Sequence, residues 1–124
     1  MSKHILIIDD DSRNIFALQA VLKAKKFSCL CSTSAAQGLS LLRSGEPVGI
    51  ILMDIMMPDM DGYEAISAIR SNNKFAAVPI IAVTAQAMAG DRDKCLRAGA
   101  NGYISKPVNI DQLLILINEH LKEE

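Results

Sequence analysis

"IILMDIMMPDMDG", residues 50–62, carries an apolar run straight into Asp54 and then breaks on Pro58 and Gly62. A short apolar run bounded by turn residues is the pattern of a strand buried on both faces, as in parallel sheets. The carboxylate at its end is the anomaly. An unpaired charge is costly to bury, so Asp54 needs either compensation or a task.

Working outward, similar runs occur at "HILIID" (4–9), "FSCLCS" (27–32), "GIILMD" (49–54), "VPIIAVT" (78–84) and "GYIS" (102–105). Residues at helical spacing stand between them: Ile15, Leu18 and Leu22, then Leu39 and Leu42, then Ile66 and Ile69. Ser34 with Gln37, Asp61 with Glu64 and Asn109 with Gln112 are spaced as capping boxes or close analogues, and Gly45 and Gly99 sit where helices should stop. Gly90 falls inside the fourth predicted helix and weakens it. Five strand and helix pairs in 124 residues predict one α/β domain spanning 1–124, with a single parallel sheet covered by helices on both faces.

Composition removes several function classes. A net charge of −1 gives no general attraction to nucleic acid or to anionic membrane. No apolar segment approaches transmembrane length, and "MSKHILIIDDD" lacks the regions of a secretory signal, so a cytoplasmic location is expected. Cys29 and Cys31 should share one strand face and Cys95 belongs to a helical stretch. With His4 and His120 near opposite ends of the chain, the three thiols suit core packing better than zinc.

In such a sheet, ligands meet the carboxyl ends of the strands. Those ends carry Asp9, Asp10 and Asp11, then Asp54, then Thr84, then Ser105, Lys106 and Pro107. Crowded carboxylates stay ionised only beside a cation or a basic side chain. An all-oxygen set favours a hard ion, Mg²⁺ above all, and Lys106 with the Thr84 hydroxyl adds what a phosphoryl group needs. The pattern therefore points to phosphoryl transfer with a carboxylate as acceptor. A lone strand-end aspartate commonly caps a helix, and Asp11, Asp59 and Asp61 suit cap or turn roles. Coincidence at four strand ends is harder to dismiss. "DMDG" lacks the remaining ligands of a calcium loop.

The set "ILIIDDD", "IILMDIMMPDMDG", "PIIAVTA" and "AGANGYISKP" resembles the receiver domain of two-component response regulators over essentially the whole chain. The resemblance implies a three-layer (βα)5 flavodoxin-like fold with strand order 2-1-3-4-5. It implies that Asp54 accepts a phosphoryl group from a histidine kinase or a histidine phosphotransfer protein. Asp9 and Asp10 would hold Mg²⁺, one of them through water, together with Asp54 and the backbone carbonyl of Met56. Lys106 would bind a phosphoryl oxygen, Thr84 would move towards it, and Tyr103 would act as the aromatic switch. The Lys106–Pro107 bond would be cis. Such a domain is no enzyme towards outside substrates and catalyses only its own phosphorylation and dephosphorylation. "DDDSRNIFAL" is more similar to receivers of hybrid histidine kinases than to those fused to DNA-binding domains. With no output domain in the sequence, the signal is expected to leave through protein contacts of the fourth helix, fifth strand and fifth helix, without direct nucleic-acid binding or membrane insertion. Met56 and Gln86 would flank the path of the hydrolytic water; neither is a general base, so a long-lived phosphoryl group is expected.

Three rival classes meet the same residues. A phosphatase of the haloacid dehalogenase type wants a second acid two residues after its nucleophile, where this chain has Met56. A flavodoxin-like electron carrier needs a hydroxyl- and glycine-rich phosphate loop after strand one, and three aspartates stand there instead. A purely structural interaction module gives no reason for Asp54, Thr84 and Lys106 to coincide.

Overall fold

The computed structural model describes residues 3–58, 60–85 and 90–121. Its elements alternate as β1 (His4–Ile8), α1 (Ser12–Ala24), β2 (Cys29–Ser32), α2 (Ala35–Arg43), β3 (Val48–Asp54), α3 (Gly62–Ser71), β4 (Ile80–Thr84), α4 (Asp91–Ala98), β5 (Gly102–Ser105) and α5 (Ile110–His120). A short 3₁₀ turn, Asn73–Phe75, precedes β4. The five strands are parallel in the order β2-β1-β3-β4-β5, as the resemblance implies.

Alternation of side chains along each strand sorts the core into two layers. Ile5, Ile7, Ile50, Leu52, Ile81, Val83 and Ile104 pack with Ile15, Leu18 and Leu22 of α1 and with Leu113 and Ile117 of α5. Leu6, Ile8, Ile51, Met53, Ile80 and Ala82 pack against α2, α3 and Cys95 of α4. The three central strands are buried on both faces apart from His4, as their continuous apolar runs require, whereas β2 is mostly half-buried and β5 alternates because both are edges. The thiols of Cys29 and Cys31 lie half-buried and that of Cys95 is buried, and all three are free. Burial pushes the Cys29 thiol up to about 11, which makes it a poor nucleophile.

Local signals largely set the helix starts. Asp11, Ser34, Asp61 and Asn109 each accept a backbone N–H of the first turn, from Arg13, Gln37, Tyr63 and Gln112 respectively. Three expectations shift. The second strand begins at Cys29 rather than residue 27, because the Phe27 N–H donates to Leu22 O at 3.0 Å and still belongs to the exit of α1. The fourth begins at Ile80 rather than residue 78, since the Val78 N–H closes the 3₁₀ turn on Phe75 O. Gly90 caps α4 instead of lying within it, with a φ of 93° that favours glycine. The earlier part of that predicted helix, residues 86–89, lies outside the described residues, as does Asp59.

Candidate functional site

Pleat alternation gathers the chemistry at one edge of the sheet. Asp9, Asp54 and Lys106 continue the parity of Ile7, Leu52 and Ile104 and so fall on the side of α1 and α5, while Thr84 continues the parity of Ala82 towards α4. The ladder reaches this far: the Asp9 N–H donates to Ser32 O at 3.0 Å, Ile55 N–H to Val83 O at 3.0 Å, and Lys106 N–H to Thr84 O at 2.8 Å. The last of these bonds fixes where Lys106 leaves β5. The Lys106–Pro107 peptide is cis.

The result is a compact charge cluster. Lys106 Nζ lies 3.4 Å from Asp9 Oδ2 and 3.6 Å from Asp54 Oδ2, a single cation between two carboxylates. Asp9, Asp54 and Thr84 are each no more than 3 % exposed, which takes the carboxylates away from bulk water. Asp54 Oδ1 accepts the Met56 N–H at 3.1 Å. Burial pushes the Asp54 carboxyl up to about 6, and the charge of Asp9 and a hydrogen bond shared with Asp10 push the same way against the Met56 N–H and Lys106. One cation therefore undercompensates three acids.

The exposed Asp10 completes the group. Asp9, Asp10 and Asp54 each offer an oxygen within 4.8 Å of the others, an all-carboxylate set of the hardness that Mg²⁺ takes. Among the described residues this is the one such cluster. The neighbouring turn is tight: the Gly62 N–H donates to Ile55 O at 3.1 Å, and a Cβ at residue 62 would stand 2.5 Å from Ile55 Cα, so only glycine lets α3 start this close to the end of β3. Met56 stands on the rim, 51 % exposed. Gln86 lies outside the described residues.

Tyr103 is half-buried against the layer that holds α4, on the same side of the sheet as Thr84. Ile104, Gln112, Ile115 and Leu116 line a cleft of about 270 Å³ beside it. Sequence reasoning missed one residue of the site. Asn14 donates from Nδ2 to Asp9 Oδ2 at 2.6 Å. Its signal was present: residues 14, 18 and 22 form one helical stripe, and a polar residue at the head of a stripe otherwise made of Leu18 and Leu22 faces the strand ends.

Comparison with known proteins agrees with this geometry. Residues 5–118 match the response regulator receiver domain family. The polar-differentiation response regulator DivK of Brucella ovis is 31 % identical over 121 residues, covering 98 % of both chains. The receiver domain of the sensor histidine kinase PA1611 from Pseudomonas aeruginosa, solved with a magnesium ion coordinated in its active site cleft, superposes with a TM-score of 0.83 at 33 % identity, covering 97 % of this chain and 98 % of that one. A chain in the co-crystal of the Saccharomyces cerevisiae histidine phosphotransfer protein Ypd1 with the receiver domain of Ssk1 superposes with a TM-score of 0.87 at 29 % identity, covering 96 % of this chain and 88 % of that one. Parallel topology, acidic pocket and family match all lead to one assignment, and this chain belongs to the response regulator receiver domains of two-component signalling.

Proposed function

We propose that Asp54 is the phosphoacceptor, that Mg²⁺ sits among Asp9, Asp10, Asp54 and the Met56 carbonyl, and that residues 1–124 act as a single receiver unit in the cytoplasm. The observation that carries this reading is the buried Asp54 held 3.6 Å from Lys106 within an acidic cluster. An Asp54 carboxylate oxygen attacks phosphorus as the N–P bond of a donor phosphohistidine breaks and the imidazole leaves. Lys106 Nζ, already at the Asp54 oxygen, meets the charge of the phosphoryl oxygens, and the Thr84 hydroxyl is drawn towards them. A divalent ion bound to the carboxylates supplies further neutralisation between an anionic nucleophile and an anionic phosphoryl group. The chain catalyses its own phosphorylation and dephosphorylation and no outside turnover. Its donor is a histidine kinase or a histidine phosphotransfer protein, and Phe16, 74 % exposed on α1, offers an apolar contact to that partner. The test is incubation with a small phosphodonor. One hydroxylamine-labile phosphoryl group per chain, formed only with Mg²⁺, is the expected product; an acid-stable modification, or none, overturns the reading.

The signal leaves through α4, β5 and α5. Only Cys95 of the eight-residue α4 is fully buried, so the helix is cheap to shift, and Thr84 and Tyr103 share its side of the sheet. Ile115, 58 % exposed beside Tyr103, offers the downstream protein an apolar contact. Adding a phosphoryl mimic should move amide resonances chiefly within residues 84–110. Changes confined to the neighbours of Asp54 would rule out this output face.

Met56 bears on how long the signal lasts. Its exposed thioether lies two residues from Asp54 and cannot orient an attacking water. With the donor removed, Met56→Asn should lose its phosphoryl group about threefold to tenfold faster than the wild type, well below the ~100-fold of a true general base because an amide orients water without taking its proton. Equal or slower loss would remove Met56 from control of the lifetime.

A further inference from the structure

We propose that Asn14 is a positioning residue that holds Asp9 open for the cation and keeps it from closing on Lys106. The inference rests on the reading of Asp9, Asp10 and Asp54 as a divalent-ion site. Asp9 is tethered at both oxygens: Oδ1 accepts the Asp11 N–H at 2.9 Å, and Oδ2 accepts Asn14 Nδ2 at 2.6 Å. The contact with Lys106 Nζ, to that same Oδ2, is looser at 3.4 Å and matches the 3.6 Å from Nζ to Asp54. Lys106 is thus shared almost evenly between two carboxylates. A buried carboxylate beside a lysine would ordinarily draw it into a short ion pair, because an unscreened pair gains more as it closes.

Asn14 changes that balance without adding charge. Its neutral amide occupies one acceptor site of Oδ2 and holds the carboxylate in one orientation, leaving acceptor capacity on both oxygens for a cation. The side chain is itself fixed by the backbone, since Asn14 lies in the first turn of α1, which Asp11 caps through the Arg13 N–H. A lysine or arginine at this position would neutralise the pocket and expel the ion. An apolar residue would complete the stripe of Leu18 and Leu22 but release Asp9.

The experiment titrates Mg²⁺ alone into the full chain and follows backbone amide resonances, for the wild type, Asn14→Leu, Asn14→Ala and Asn14→Gln. Asn14→Leu and Asn14→Ala are expected to weaken Mg²⁺ binding about tenfold, the lower end of the effect of outer-shell partners on metal affinity. Asn14→Gln, which keeps the donor, should recover most of the loss. The Lys106 side-chain resonances should move in the metal-free variants, a signature that a merely structural role in α1 would not give. Phosphorylation should show the same division, with the half-saturating Mg²⁺ concentration raised and the rate at saturating Mg²⁺ changed much less. Binding within twofold of the wild type in both Asn14→Leu and Asn14→Ala, or tighter, overturns the proposal while leaving the metal site standing. A wild type that shows no response to Mg²⁺ overturns the metal site itself.

Discussion

Asp54→Asn should abolish phosphorylation by a small phosphodonor and, in the absence of divalent cations, should make the folded protein more stable near neutral pH. The two effects have one cause. An anionic oxygen is needed to attack phosphorus, and an uncharged amide is a far weaker nucleophile. That same anion is expensive to keep: burial, Asp9 and Asp10 hold the Asp54 carboxyl at about 6 against its ordinary value of 3.8. A raised pKa in the folded state means that folding favours the protonated acid. Its contribution to stability is complete below about pH 4 and is lost as the pH rises through about 6, so at neutral pH ionised Asp54 works against folding. The difference corresponds to about 3 kcal/mol. Urea unfolding at neutral pH without metal should find Asp54→Asn more stable by that order, and the gap should close towards about pH 4. Full stoichiometric phosphate on Asp54→Asn, seen by mass spectrometry, would displace Asp54 as acceptor. A variant less stable than the wild type at neutral pH would contradict the burial penalty.

The sequence makes the strand ends legible because each carries two independent signals. Asp54 and Thr84 close apolar runs, and Asp9 and Lys106 follow such runs directly, so one inference about topology places all four at one edge. Caps are legible for the same reason: Asp11, Ser34, Asp61 and Asn109 act within three residues of themselves. Partners distant in sequence are harder to read. Lys106 sits between Asp9 and Asp54, 97 and 52 positions earlier, and the sequence predicts its edge without fixing how it is shared. Asn14 is hidden because helical periodicity is carried by apolar residues, and a polar residue at the head of the stripe adds nothing to that pattern. The start of β4 was misplaced because Val78 and Pro79 continue an apolar run while their backbone is already committed to Arg70 and to β3.

Loss of Arg70 should damage the fold severely, and no local pattern announces it. It closes α3, where a cation suits the helix end, and its guanidinium reaches across the edge of the sheet away from Asp54. Nε donates to Gly99 O at 2.9 Å, Nη1 to Val78 O at 2.6 Å and to Phe75 O and Ala76 O at 3.2 Å, and Nη2 to Asn101 Oδ1 at 2.7 Å. Asn101 Oδ1 also accepts the Ile80 N–H at 2.9 Å, so one side chain ties the entry of β4 to the turn before β5. Glycine at 99 makes room for it, since a Cβ there would lie 2.7 Å from Arg70 Cγ. Arg70→Met keeps much of the stem and removes every donor, taking the guanidinium from the part-buried carbonyls of Val78 and Gly99. The expected cost is about 3 kcal/mol. Arg70→Lys should recover less than half of it, because a single ammonium cannot span carbonyls that a planar fork reaches from three nitrogens. Both figures come from urea unfolding monitored by circular dichroism. Phosphorylation per folded molecule should stay within about twofold of the wild type, since Arg70 makes no contact with the carboxylates and distant sites are normally independent. A stability loss under about 1 kcal/mol would show that water replaces the guanidinium at little cost. A collapse of phosphorylation in molecules that remain folded would show instead that the two edges of the sheet are coupled through β4.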